Sequence, residues 1–144
     1  MDPLSISASI VGLLQAVKSL YGFIDSINGA PETLTRAGDD LKSTDGILED
    51  LHRYLEASPQ ALLAVRTLTD QKSALSSVLS QFKKLCDEFH KKLDGCVRHS
   101  AGANKMSWTD RVMTVFKNGS IEKFRAEVSK ARQILSLRVD MIAL

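Results

Sequence analysis

Three histidines, two cysteines and three adjacent pairs of acids are the side chains of this chain best suited to chemistry. His52, His90 and His99 are scattered, and each stands beside an arginine or lysine. That pattern assigns none of them a catalytic role. Cys86 and Cys96 lie ten positions apart, a spacing that fits no common metal motif, and His90 and His99 do not complete one. Cys86 reads as a buried thiol on a helix face. The pairs Asp39-Asp40, Glu49-Asp50 and Asp87-Glu88 are neighbours on helical stretches, so their carboxylates do not face one site. They read as solvated surface. The stretch GAPETLTRAG lacks the GK[ST] ending of a phosphate loop, and neither H-E-x-x-H nor G-x-S-x-G occurs. The expectation is a non-enzyme with no catalytic, cofactor-binding or metal site.

The elements that would have to position any site are helical. The chain has 144 residues, enough for one domain with a real core. Its prolines stop at Pro59, and no strand-like alternation appears. Apolar residues recur instead at spacings of three and four. A first segment over about 4–27 carries Ile6, Ile10, Leu13, Leu14, Val17, Leu20, Tyr21 and Ile24, and Asn28-Gly29 with Pro31 stops it. A second, over about 32–55, carries Leu34, Ala37, Leu41, Leu48, Leu51 and Leu55, weakened by Gly38 and Gly46 to the point of a kink or fraying. A third, over about 59–93, starts with Ser58 as cap and Pro59 in its first turn, bends or breaks near 67–71, and ends at Gly95. Its clean half carries Leu75, Val78, Leu79, Phe82, Leu85, Cys86, Phe89 and Leu93.

Residues 95–107 read as a loop, and a near capping box at Ser107 opens a short helix from Trp108. Trp108 is either a membrane-interface anchor or the anchor of that helix on the bundle. A last segment from Ser120 carries Ile121, Phe124, Val128, Ala131, Leu135 and Met141/Ile142 and meets no stop signal, which suggests a piece of a longer protein. The expected fold is all-α, a bundle of four to five main helices plus the short helix near Trp108.

Charge is unevenly placed. Residues 1–82 carry six basic and ten acidic side chains, and residues 83–144 carry thirteen and seven. The basic half could face headgroup phosphates or an acidic partner, or be a solvated face complementing the acidic half. The overall charge of +2 is too small for a nucleic-acid binder, and none is expected as partner. No secretory signal is present, so a cytoplasmic setting is expected. The first segment is unusually apolar, with no charge between Asp2 and Lys18. Those fifteen residues would make a helix of about 22 Å, short of the ~30 Å bilayer core. It could insert partly, or be the central helix of the bundle, since a fully buried helix is also apolar all round.

The opening MDPLSISASIVGLLQAVKSLYGFI resembles the N-terminus of the fungal HeLo-like domains. Their start, M-[D/E]-P-L-S-[I/V]-x-x-[S/A]-[I/V]-x-G-L-L, is met by Met1, Asp2, Pro3, Leu4, Ser5, Ile6, Ser9, Ile10, Gly12, Leu13 and Leu14. The leucine-rich segment with Cys86, then Trp108, then the basic-apolar last segment follow the family's order. The resemblance implies a single HeLo-like domain over 1–144, the N-terminal part of a fungal NOD-like (STAND) receptor or an amyloid-signalled protein. Its implied setting is programmed cell death, heterokaryon incompatibility and innate immunity. The domain would be cytoplasmic at rest. After oligomerisation, driven by an upstream NOD-like receptor or an amyloid-motif partner, it would permeabilise the plasma membrane as a pore-forming effector.

On that reading Leu4, Ile6, Ile10, Leu13, Leu14 and Val17 insert, while Ala8, Gly12 and Ala16 let helices of a self-associated cluster approach closely. Lys123, Arg125, Lys130, Arg132 and Arg138 contact anionic lipid headgroups or a partner. Asp2 takes the family's early acidic position. The alternative is a non-catalytic protein–protein interaction or adaptor domain of such a receptor.

Overall fold

Three- and four-residue apolar spacing becomes the inward stripes of four helices in the computed structural model. It describes residues 3–27, 30–57, 69–99 and 119–143, with side chains placed for 7–27, 30–57, 76–96 and 119–137. The helices are α1 (Pro3–Asp25), α2 (Glu32–Ala57), α3 (Thr69–His99) and α4 (Ser120–Ala143), and no strand occurs among the described residues. The fold is an all-α four-helix bundle. The expected short helix at Trp108 and the Ser58-Pro59 start lie outside the described residues.

Local chemistry sets the ends. The Ser26 hydroxyl donates to the Phe23 carbonyl at 2.6 Å and closes α1. Pro31 enters α2, its carbonyl accepting the first helical N–H, from Thr35, at 3.0 Å. Glu32 in that first turn suits the helix dipole and pairs with Arg36. Gly119 takes φ = 72°, a left-handed conformation that disfavours a side chain, and its carbonyl accepts from the Lys123 N–H at 2.8 Å to begin α4.

The helices form a ring in the order α1, α2, α4, α3, each packing on its two neighbours. Lys18 reaches Glu49 and Lys42 reaches Asp25, so α1 and α2 run antiparallel. The core is built from Ile10, Leu13, Val17, Leu20 and Ile24 on α1, and Leu34, Leu41, Leu48, Leu51 and Leu55 on α2. From α3 come Leu79, Phe82, Cys86, Phe89 and Leu93, and from α4 Ile121, Phe124, Val128 and Leu135.

Three expectations change. First, α1 is not a central helix. It packs on α2 and α3, while Ala8, Val11, Gln15, Ser19 and Gly22 face solvent. Small and uncharged residues on its wet face make it look apolar all round. Among the described residues Ser7–Asp25 is the one stretch apolar and long enough to cross a membrane by composition, a property a core helix shares. Second, α3 does not end at Gly95. It runs to His99, because Cys96 continues the buried stripe three residues after Leu93.

Third, α2 runs on as one helix through both of its glycines. Gly38 is buried, and a Cβ there would sit 3.3 Å from the Ile24 Cγ2, so glycine permits the close α1–α2 approach. Gly46 is exposed, and a Cβ there would meet nothing within 4 Å. Gly46→Ala should therefore raise stability by about 0.5–1 kcal/mol in a urea titration through helix propensity alone. Gly38→Ala should gain less or lose, because Ile24 must give way.

Candidate functional site

The residues capable of chemistry are separated by the fold. Both cysteines are buried and neither forms a disulfide. Burial and the neighbouring Asp87 push the Cys86 thiol far up, so the reactive thiolate is suppressed. His90 packs against Phe23, ring centroids 5.0 Å apart. His52 Nε2 comes within 3.2 Å of a Glu56 carboxylate oxygen but without hydrogen-bond alignment. Each acidic pair splits between different tasks. Asp40 binds Arg125 while Asp39 is exposed, Glu49 binds Lys18 while Asp50 binds Arg53, and Asp87 binds Lys83. Among the described residues no three His, Cys, Asp or Glu side chains converge as a metal site.

The residues assigned to membrane insertion divide in the same way. Ile10, Leu13 and Val17 are fully buried core residues, and Leu14 is half-buried against them. Ala8 is exposed, Ala16 is half-buried, and Gly12 lies beside the Lys83 stem. The side chains of Asp2, Leu4, Ile6 and Arg138 lie outside the described residues. Of the basic set, Lys123 and Lys130 are exposed and Arg132 is half-buried. Arg125 is committed elsewhere: its Nε donates to Asp40 at 2.7 Å, fastening α4 to α2 across 85 positions of sequence.

A polar cluster lies across the α1–α2 seam. Lys18 bonds Glu49 at 2.8 Å, which lowers the Glu49 carboxyl and raises the Lys18 ammonium. Beside them stands Asp45, whose Oδ1 is buried without a hydrogen-bond partner. Burial raises the Asp45 carboxyl above its ordinary range, ahead of the opposing pull of Lys18. The folded protein thus holds the Asp45 proton more tightly than the unfolded chain does. Its contribution to stability is present at low pH and lost as pH rises through the folded value. Asp45→Asn keeps the shape of the side chain and removes the buried charge. Its melting temperature should exceed the parent's at neutral pH, and the gain should shrink as pH falls through the carboxylate range.

Of the packed helix pairs, α3 and α4 meet most sparsely. The two helices run antiparallel, joined where Phe89 stacks on Phe124 with centroids 4.0 Å apart. Beyond that stack they leave a cleft of about 160 Å³ lined by Val78, Phe82, Leu85, Ala131 and Ile134, with Gln81, Glu127 and Lys130 at its edge. Leu137, one turn past Ile134, is 63% exposed, the most exposed large apolar side chain among the described residues. The cleft is smaller than the ~300–1,000 Å³ of typical small-molecule pockets. An apolar edge of this kind suits a side chain of another protein better than a substrate. The sequence places Val78 and Leu85 on the apolar stripe, and both do pack against the core while lining the cleft, since periodicity marks a stripe but not whether a neighbouring helix closes over it.

A family model described as "Pigment biosynthesis cluster protein PigL N-terminal" matches residues 1–144, the whole length. The chain belongs to that family. No curated protein and no solved structure matches it. The family assignment overturns the HeLo-like resemblance and what hung on it: a fungal death effector, permeabilisation of the plasma membrane, amyloid signalling, incompatibility, innate immunity and a place in a STAND receptor. The physical reason lies in α1. Its matched residues Ile10 and Leu13 are the inward positions that any bundle helix must make apolar, and Gly12 and Ser9 are small residues between helices. Positions of this kind report a packed helix rather than a death effector, and the side chains of the other matched residues from Met1 to Ile6 lie outside the described residues.

Proposed function

We propose that this domain is a non-catalytic helical module that acts by binding another protein, working among the products of a pigment biosynthesis gene cluster. The observation that carries this reading is the open α3–α4 seam, an apolar cleft continued by exposed Leu137 and edged by Glu127 and Lys130. Two further features support it. The nucleophilic and acid–base groups of the described residues are buried, spread apart or tied into ion pairs. Two cysteines outside any disulfide suit a reducing compartment such as the cytoplasm. The family's description names a pigment biosynthesis cluster, so the first partners to test are the proteins encoded beside this one.

The experiment is a titration of the ¹⁵N-labelled domain with each of those proteins, read by chemical-shift perturbation. The expected result is saturable shifts confined to residues 78–85 and 127–137. Leu137→Glu, a change on a solvent-facing position, should leave the spectrum folded and weaken binding at least tenfold, a loss of about 1.4 kcal/mol. Saturable binding whose shifts map elsewhere, unaffected by Leu137→Glu, would remove the seam from the proposal. No binding by any of the neighbouring gene products would reject the partner class.

A further inference from the structure

We draw no further inference here: the strongest candidate, the groove between α1 and α3 walled by Ala8 and Gly12 on one side and by Leu79 and Lys83 on the other, is a strip of small residues beside a lysine already paired with Asp87, and nothing in the structure shows what covers it.

Discussion

Leu13→Glu should abolish the cooperative thermal transition of the domain. Leu13 is fully buried in the middle of the α1 stripe, between Ile10 and Val17. A carboxylate there would lose its water without gaining a partner, or would have to take up a proton to stay inside. Either way the loss exceeds about 4 kcal/mol, a large part of the ~5–15 kcal/mol that holds a domain together. Val11→Glu is the control. Val11 is 37% exposed on the opposite side of the same helix, two residues away. It should melt cooperatively within a few degrees of the parent when both are followed by circular dichroism. Equal damage from the two substitutions would mean that the faces of α1 are assigned wrongly. The contrast also bears on any functional assay: a defect in Leu13→Glu reports lost folding, whereas one in Val11→Glu reports a surface.

Phe124→Ala should cost about 3–5 kcal/mol in urea denaturation, as expected for emptying a large aromatic site in a core. Phe124 is 4% exposed and lies nearly parallel to Phe89, with an interplanar angle of 17°. This stack clasps α3 to α4 beside the cleft that opens between them. Phe89→Ala should cost a similar amount. The double substitution should fall short of the sum by about 0.5–1.5 kcal/mol, the coupling typical of an aromatic pair. Full additivity would show that the rings act through burial alone. Phe124→Leu, which keeps most of the apolar volume, should lose much less.

The helices were legible because water enforces their pattern. Leu34, Ala37, Leu41, Leu48, Leu51 and Leu55 recur at the helical period, and all six are buried. The gap in that run, Thr44, is where periodicity failed. Thr44 is fully buried because its hydroxyl donates to the Asp40 carbonyl one turn back at 2.8 Å, which meets its polar need inside the helix. The end of α3 was misread for a related reason. A glycine usually weakens a helix, and Gly95 stands amid small polar residues, but burial of Cys96 outweighs that local preference. Gly38 shows the same competition: its low propensity is offset by the close seat it makes for Ile24.

The candidate site was scarcely legible at all. Arg125 and Lys130 look alike in sequence, two basic residues of one amphipathic helix. Only packing decides that Arg125 meets Asp40 from α2 while Lys130 stands at the edge of the α3–α4 cleft. The base-rich second half meets the acid-rich first half directly where Arg125 pairs with Asp40. Part of the charge is spent on cross-helix pairs, and Asp45 is left with an unpartnered oxygen inside the α1–α2 seam.

By itself the sequence determined an all-α chain, the inward stripe of each helix and most of the core, because local period and the exclusion of apolar groups from water act within a few residues. The tertiary structure alone decided the ring order α1, α2, α4, α3, the solvent-facing side of α1 and the loosely closed α3–α4 seam. Those depend on which stripes meet and how closely, and nothing in a single helix specifies its neighbour.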